Sequence, residues 1–375
     1  MHLDHLWLTD FRSYRETEFT PAAVGITVVT GANGEGKTNL IEAMGYLATL
    51  RSLRGSPAEA MVRDGSTAGY AVVRADGQRD GRRVLVEAEL HAEGRDRVRL
   101  GGQPLRRARD LLGAFQVTVF LPDDLVLVKG GPQSRRDYLD DLLVALHPRH
   151  DATISEVDRV LKQRNALLKS ASASAVSGGR TARTLSDDVS VTLDVWDAKL
   201  AAAGEQLVRA RTGLVRALEP LVGESYRRLA VGVAHRGRDS ISMSYRQSWS
   251  GPLQEALNSS RPVDVRRGIT SVGPHRDDLD LAIGSMAARS HASQGEQRSL
   301  ALALRLAGHE LVTERIGSPP ILLLDDVFSE LDQVRSEALL SCLPDAQAVV
   351  TTAGDLPPGA DVHARFRVED GKLLQ

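Results

Sequence analysis

The residues from Gly31 to Thr38, GANGEGKT, match the phosphate-binding pattern G-x-x-x-x-G-K-[ST]. This loop constrains the fold, because it needs a strand before it and a helix after it. Here a β-branched apolar run, GITVVT, precedes the loop, and a run with apolar residues at helical spacing, NLIEAMGYLATL, follows it. The glycines let backbone N–H groups surround phosphate oxygens at dihedral angles that a Cβ would resist. The sequence therefore predicts a nucleotide site in an α/β domain.

The side chains of this loop suit ATP and Mg²⁺. Lys37 supplies a positive charge to the β- and γ-phosphates, and the Thr38 hydroxyl is placed to bind the metal ion. The helix that follows adds the positive end of its dipole. The residues expected to contact the phosphates are Gly31, Asn33, Gly34, Glu35, Gly36, Lys37, Thr38 and Asn39.

A second apolar run ends in two carboxylates. In ILLLDDVFSELD, four apolar residues lead to Asp325 and Asp326, as in a buried parallel strand. Asp325 is predicted to hold the metal ion, and Asp326 follows where a general base could orient the attacking water. The alternative is a strand whose terminal aspartates simply begin a turn. The P-loop on the same chain favours the catalytic interpretation, with Lys37 and Asp326 as catalytic residues.

A second candidate anion site lies near the other end of the chain. The segment ASQGEQRS places Ser293, Gly295 and the following backbone N–H groups at the start of a helix predicted from about Glu296. Serine is also common at ordinary helix caps, so a purely structural cap is the alternative.

The order of predicted elements divides the chain into a head and an insertion. Strand patterns dominate the first part, and helical patterns dominate from about Arg135 to Leu229. Alternating helices and strands return in the closing section. We predict an ATPase head formed by residues 1–134 and 270–375, and a largely α-helical second domain formed by residues 135–269.

Two features interrupt the helical part. The small-polar stretch SASASAVSGGRTARTLSDD predicts a flexible loop near residues 170–188. Strand patterns resume at LAVGVAH and SISMSYR.

Composition limits the remaining classes. The single cysteine, Cys342, excludes an internal disulfide framework. No apolar run approaches the roughly 18–20 residues that cross a bilayer, and the N-terminus lacks a secretory signal. We therefore expect a cytoplasmic protein with no membrane partner. The net charge is −2, but the stretch from Arg74 to Arg109 holds ten arginines against six carboxylates. Such a patch can bind phosphate backbones or be a solvated face.

The order of motifs resembles that of the ATP-binding-cassette (ABC) ATPases: a P-loop, a Ser-x-Gly-Glu helix, an apolar-Asp-Asp strand and then SELD. In that class two heads dock head to tail, and the signature helix of each caps the γ-phosphate held by the other. The resemblance implies an ATP-dependent homodimer with two composite sites. It assigns a signature role in trans to Ser293, Gln294, Gly295 and Glu296, and a D-loop role to Ser329 and Asp332.

Further motifs resemble the RecF family of bacterial recombination and repair proteins. In chain order they are FRSYRE, GANGEGKTNLIEA, RSLRG, PDDLVLVKGGPQSRRDYLD, VGPHRDDLDL and LDDVFSELD. The resemblance implies an α/β fold: an SMC-like, ABC-type P-loop ATPase head with an inserted α-helical lever-arm domain. It also implies weak, DNA-stimulated ATP hydrolysis and binding to double-stranded DNA and to single-strand/double-strand junctions. Its implied partners include RecR, which with RecO helps to load RecA at gaps.

Three positions depart from the wider class. Asp326 stands where relatives carry the longer glutamate, in accord with slow turnover. Gln116 is the nearest glutamine to a lobe linker, but it precedes the apolar run instead of following it. The switch histidine expected after AQAVVTT is replaced by Thr351 or Thr352, which cannot act as a charged sensor.

Four arginines are candidate DNA contacts, since a guanidinium group forks onto two phosphate oxygens. They are Arg51 and Arg54 after the P-loop helix, and Arg135 and Arg136 at the start of the helical part. The alternative for Arg136 is an ion pair with Asp140, and for Arg135 one with Asp137 or Asp141. His275, in VGPHRDD, is expected to be a hydrogen-bonded structural histidine.

Two other classes share the P-loop. The nucleotide-binding subunit of an ABC transporter is the main alternative, but the helical insertion and the departure from LSGGQ argue against it. A metabolic P-loop kinase would lack the SQGEQRS and SELD segments.

Overall fold

The structure, a computed structural model, describes residues 1–177, 187–230 and 240–375. Its helices are α1 (Lys37–Thr49), α2 (Ala58–Met61), α3 (Val126–Lys129), α4 (Pro132–Leu146), α5 (His150–Ser177), α6 (Asp187–Leu229), α7 (Leu253–Arg267), α8 (Ala288–His291), α9 (Gln294–Ile316) and α10 (Gln333–Cys342). Its strands are β1 (His2–Phe11), β2 (Tyr14–Phe19), β3 (Gly25–Thr30), β4 (Tyr70–Arg79), β5 (Arg82–His91), β6 (Arg97–Leu100), β7 (Gln103–Pro104), β8 (Val117–Phe120), β9 (Ile241–Arg246), β10 (Asp278–Ile283), β11 (Met286–Ala287), β12 (Ile321–Asp325), β13 (Gln347–Thr352), β14 (Val362–Glu369) and β15 (Lys372–Leu374).

A six-stranded sheet in the order β15-β14-β3-β13-β12-β8 carries the nucleotide motifs. Its strands run parallel from β14 to β8, and β15 joins β14 in antiparallel orientation. Every residue of β12 and β13 is buried, which explains why β12 reads as a continuous apolar run. Parallel strands end at the same edge of a sheet. The loop after β3 therefore lies at the same edge as the residues that end β12 and β13.

A second, antiparallel sheet in the order β2-β1-β4-β5-β6-β7 covers the P-loop helix. Its buried face shares one hydrophobic core with α1 and with the central sheet. Leu6 of β1, Leu40 of α1 and Leu323 of β12 are all fully buried in this core. Helix α1 is thus fixed between two sheets, and so is the loop that precedes it.

The remaining helices form a second core. Helices α4, α5, α6 and α9 pack with the three-stranded sheet β11-β10-β9 around buried leucine and valine side chains. Strand β9 lies before residue 270 and β10 lies after it, so this sheet crosses the predicted boundary between the head and the second domain. None of the helices among the described residues combines the length and apolar character needed to span a bilayer.

The predicted interruptions of the helical part fall partly outside the described residues. Helix α5 continues to Ser177 and α6 begins at Asp187, so the flexible loop predicted near residues 170–188 is helical at both ends and otherwise lies in residues 178–186, which the structure does not describe. The strand predicted at LAVGVAH is wrong at Leu229, which ends α6, and residues 231–235 are not described. The SISMSYR strand is confirmed as β9.

Candidate nucleotide site

The loop between β3 and α1 has the backbone of a phosphate cradle. Gly31, Gly34 and Gly36 have φ values of 157°, 93° and 117°, a region that side-chain-bearing residues rarely adopt. At Gly36 a Cβ would also lie 2.5 Å from Oγ of Ser13, and the Gly36 carbonyl accepts a hydrogen bond of 3.0 Å from the Tyr14 hydroxyl. The FRSY turn between β1 and β2 therefore supports the loop from behind.

Lys37 lies folded over this loop. Its Nζ donates to the carbonyl oxygens of Gly31 at 2.8 Å and of Ala32 at 2.9 Å, and the residue is 6% exposed. An ammonium group has three N–H donors, so one remains for a phosphate oxygen. Lys37 thus both closes the loop and carries its charge to the site.

The predicted metal-binding residues meet. Thr38 Oγ1 donates to Oδ1 of Asp325 at 3.0 Å, and Thr351 Oγ1 donates to the same oxygen at 2.6 Å. Burial raises the pKa of Asp325, while the hydrogen bonds from Thr351 and Thr38 oppose this rise. A hydroxyl and a carboxylate are the hard oxygen ligands that Mg²⁺ prefers, so this pair fits the ion.

Thr351 was one of two candidates for the residue at the switch-histidine position, but its contacts give it a structural role. Besides its bond to Asp325, its carbonyl and hydroxyl oxygens accept bonds of 3.1 Å and 3.0 Å from the backbone N–H of Asp326. Thr351 therefore holds the two aspartates in place. Thr352 bonds locally to Gly354.

Asp326 is held in an unusual conformation at the edge of a cavity. Its φ of 48° lies in the left-handed region, which is uncommon for a residue other than glycine, and its Oδ1 is buried with no hydrogen-bond partner among the described residues. The cavity has a volume of about 310 Å³. It is lined by Asn33, Gly34, Gly36, Lys37, Thr38, Asn39, Arg54 and Asp326.

The loop after α1 brings Arg54 to this cavity. Leu50 ends α1 in the left-handed region, and Ser52 then bonds to the buried carboxylate of Glu42. The chain therefore turns back, and the positive charge of Arg54 acts against the burial-driven rise in the pKa of Asp325. Arg54, which the sequence predicted only as a DNA contact, lies with the nucleotide motifs in the structure.

The serine of the second candidate anion site caps α9. Ser293 Oγ accepts from the backbone N–H of Glu296 at 3.3 Å, and Glu296 Oε2 accepts from the Ser293 N–H at 2.7 Å. The structural cap is therefore real. None of the described residues that line the P-loop cavity belongs to α9, so within one chain the serine does not contribute to that cavity.

The SELD segment, Ser329 to Asp332, lies in the turn that joins β12 to α10. Ser329 Oγ donates to the Asp326 carbonyl at 2.7 Å, and Asp332 caps α10 by accepting from the Arg335 N–H at 2.9 Å. Both predicted D-loop residues are therefore hydrogen-bonded within a short turn that follows β12.

Comparison with known proteins identifies the family. A family model described as the RecF/RecN/SMC N terminal domain matches residues 2–355. The DNA replication and repair protein RecF of Streptomyces avermitilis is 43% identical over 385 residues, which cover 100% of this chain and 99% of the relative. That of Frankia alni is 44% identical over 391 residues, which cover 100% of both. The chain belongs to the RecF family.

Solved structures agree with this assignment. The recombination mediator protein RecF-ATPrS of the RecFOR pathway superposes with a TM-score of 0.85 at 26% identity, over 100% of this chain and 97% of that one. An Smc head bound to the C-winged helix domain of ScpA shares the fold, with a TM-score of 0.57 at 17% identity over 100% and 96% of the two chains. The predicted fold is confirmed: an SMC-like, ABC-type ATPase head with a helical insertion.

Gln116 is not the lobe-linker glutamine of this RecF-family protein. It precedes β8, at the end of the parallel sheet opposite to Asp325, and four extended residues separate the two ends by about 13 Å. Its side chain is buried and donates to the Ala145 carbonyl at 2.7 Å. Gln116 therefore joins β8 to α4 and cannot sense a γ-phosphate.

Arg135 and Arg136 do not face solvent, so the expectation of DNA contact is not supported for them. Arg135 donates to both carboxylate oxygens of Asp278, at 2.8 Å and 3.0 Å, and is 4% exposed. Arg136 is 9% exposed and donates to the Asp277 carbonyl and to Gln133, each at 2.6 Å. Both arginines instead bind α4 to the VGPHRDD segment.

The expected partners of these arginines within α4 were also wrong. Asp140 forms a bidentate ion pair with Arg211 of α6, at 2.7 Å and 2.6 Å. Asp141 lies 3.7 Å from Arg51, and more than half of each of these two side chains is exposed. His275 donates one bond of 3.1 Å from Nε2 to the Thr270 carbonyl, and burial lowers its pKa to about 4, which agrees with a structural histidine.

Proposed function

We propose that this protein is a cytoplasmic, ATP-dependent DNA-binding protein of recombinational repair that hydrolyses ATP slowly. One observation carries the nucleotide part: P-loop residues and Asp326 line one cavity, and Asp325 bonds to Thr38 beside it, although these segments come from opposite ends of the chain. The DNA-repair part is supported by relatives that carry the name DNA replication and repair protein RecF.

Each site residue has a defined task in this proposal. The loop N–H groups and Lys37 bind the phosphates, and Thr38 and Asp325 would hold Mg²⁺, which neutralises phosphate charge when bound. The unpaired Oδ1 of Asp326 is an acceptor for the attacking water. Arg54 adds a second positive charge at the cavity. Slow turnover fits a switch that must keep its ATP-bound form for some time.

The second element is an ATP-dependent homodimer. The P-loop cavity opens to solvent and lacks a contribution from its own α9, while Ser293 begins a long helix whose first N–H groups can bind an anion. We infer that the Ser293–Glu296 segment of each copy completes the site of its twin. Dimerisation then depends on the γ-phosphate that both copies contact.

Exposed arginines outside α4 provide a surface for DNA. Arg97 and Arg99 pair with Glu89 and Glu87 across neighbouring strands. By contrast, five exposed arginines between Arg82 and Arg109 have no carboxylate partner among the described residues. They are Arg82, Arg95, Arg106, Arg107 and Arg109. Three of these five lie within four consecutive residues, which concentrates positive charge where phosphates can approach.

This surface is tested by salt-dependent DNA binding. Replacing Arg106, Arg107 and Arg109 by alanine should weaken binding to duplex DNA and to junctions and lower the salt slope by about one unit per lost phosphate contact. The matched control replaces Arg97 and Arg99, whose charges are already neutralised. Equal losses in both variants would contradict this assignment of the DNA surface.

We also propose RecR as a direct partner, because this chain belongs to the RecF family. RecR would act with RecO to load RecA at gaps.

One comparison tests the composite site. Ser293→Arg should leave ATP binding by the monomer nearly unchanged but abolish ATP-induced dimers in light scattering, whereas Lys37→Met should impair both. Normal dimerisation of Ser293→Arg would refute the proposal. ATP turnover that rises with gapped DNA but not with liposomes would separate it from a transporter subunit.

A further inference from the structure

Two arginines join the start of α9 to the turn that follows β12, residues 326–332, which we call the D-loop segment. Arg298 donates from Nη2 to the Glu330 carboxylate at 2.6 Å and from Nη1 to the Glu330 carbonyl. Arg335 forms an ion pair with Asp332 and donates from Nε to Ser299 Oγ at 3.3 Å. Arg298 of α9 and Arg335, in the first turn of α10, therefore connect α9 to the D-loop segment at two points.

The second bridge reaches the backbone of the signature segment itself. A Cβ added to Gly295 would lie 2.4 Å from Nη2 of Arg335, and the Arg335 side chain is only 17% exposed. The guanidinium group thus packs against the first turn of α9. Glycine at position 295 makes room for that contact.

The D-loop segment is also bound to the nucleotide cavity of its own chain. Ser329 Oγ donates to the Asp326 carbonyl at 2.7 Å, and the Asp326 N–H is held by Thr351. A continuous set of contacts therefore runs from Asp326 through the D-loop segment to the helix that Ser293 begins.

We propose that Arg298 and Arg335 are positioning residues that hold Ser293 and the D-loop segment in one fixed arrangement. This inference rests on the proposed dimer, in which both segments approach the nucleotide of the twin. Two loosely held segments would each lose conformational freedom on docking, which opposes association. Segments that are already joined avoid that loss, so the bridges favour dimer formation more than they favour folding of the monomer.

A charge exchange tests the Arg298 bridge. Arg298→Glu and Glu330→Arg should each raise the dimer dissociation constant in ATP about fivefold, which is the upper range for one exposed ion pair. Binding of a fluorescent ATP analogue to the monomer should stay unchanged. The double variant, with the charges exchanged, should recover most of the affinity. Single variants that dimerise like the parent, or a double variant no better than the singles, would overturn the role of Arg298.

A double-mutant cycle tests Arg335. Gly295→Ala displaces the guanidinium group, so it should weaken the dimer about as much as Arg335→Ala does. Combining the two should cause no further loss, because both remove the same contact. If glycine is needed only for close approach of the partner's phosphate, the two effects will instead add, and the inference fails for Arg335.

Ser293→Arg separates this inference from the proposed function. If Ser293→Arg prevents dimers while the Arg298 and Arg335 variants dimerise normally, only the positioning roles are wrong. If Ser293→Arg itself dimerises normally, the composite site is wrong.

Discussion

Thr38 donates a hydrogen bond of 3.0 Å to Asp325, a residue 287 positions further along the chain. This contact joins the first turn of the P-loop helix to the last residue of β12. It exists because β3 and β12 are parallel strands of one sheet and therefore end at the same edge. The two side chains that are proposed to hold Mg²⁺ are thereby brought together.

The Thr38–Asp325 pair predicts how metal dependence should change. Thr38→Ala and Asp325→Asn should lower ATP affinity about tenfold or more in Mg²⁺ but have little effect in EDTA, because they remove ligands of the ion and not of the phosphates. Thr351→Val is the control: it removes a neighbouring hydroxyl and should cost about 1 kcal/mol of stability with a smaller change in Mg²⁺ dependence. Titration of ATP binding against Mg²⁺ measures this. Equal losses with and without Mg²⁺ would contradict the assignment.

Asp326 predicts a variant that binds ATP but fails to hydrolyse it. In Asp326→Asn the carboxylate that could take a proton from the attacking water is replaced by a neutral amide of very low basicity, while Asp325, the proposed Mg²⁺ ligand, remains. We expect long-lived ATP-bound dimers on size exclusion and phosphate release at least about tenfold slower than in the parent. Lys37→Met, which should not dimerise, is the negative control. Phosphate release at the parental rate would exclude Asp326 from catalysis.

Arg54 and Arg51 follow the same helix, so their alanine variants can be compared directly. Arg54 lines the nucleotide cavity, whereas Arg51 lies 3.7 Å from Asp141 with more than half of its side chain exposed. Arg54→Ala should weaken ATP binding about tenfold, as expected for a lost charge-assisted contact, and Arg51→Ala should not. Isothermal titration with a non-hydrolysable analogue decides this. Reduced DNA binding with unchanged ATP affinity in Arg54→Ala would favour the earlier DNA-contact prediction.

Arg135 predicts a large effect on stability. Burial alone raises the pKa of Asp278, but hydrogen bonds and charge from Arg135 hold its net pKa below the usual value. Arg135→Ala would leave that buried carboxylate without its main partner and should cost about 3–5 kcal/mol of unfolding free energy. Arg246 also contacts Asp278, at 3.4 Å, but is 60% exposed. Its alanine variant should cost less than about 1 kcal/mol in the same denaturant titration.

Replacing Asp141 by asparagine should stabilise the protein in a pH-dependent way. Although about half of the side chain is exposed, desolvation of its carboxyl group by the surrounding protein raises the pKa of Asp141 to about 6 from 3.8, so folding disfavours the charged form. Well below pH 4, at about pH 2, the group is protonated in both states, and Asp141→Asn should leave the melting temperature unchanged. The variant should become the more stable protein as pH rises through 4 to 6. Because about half of the side chain is exposed, screening should limit the gain to about 1 kcal/mol or less at pH 8. A variant less stable than the parent at pH 8 would show that the Arg51–Asp141 pair dominates.

The sequence alone determined the nucleotide chemistry and the type of fold. The P-loop glycines, Lys37 and Thr38 act through local backbone geometry, so their spacing in the chain is sufficient to predict them. The run that ends in Asp325 and Asp326 is apolar because both faces of β12 are covered, and this pattern is visible without a structure.

Only the tertiary structure decided which arginines serve which task. Arg54, Arg135 and Arg136 look equivalent in the sequence, yet the first lines the nucleotide cavity and the other two are buried against residues more than 140 positions away. Likewise, nothing local indicates that Arg335 packs against Gly295. The reason is physical: the role of a long charged side chain depends on its burial and on its partner, and both are set by chain segments that meet only when the protein folds.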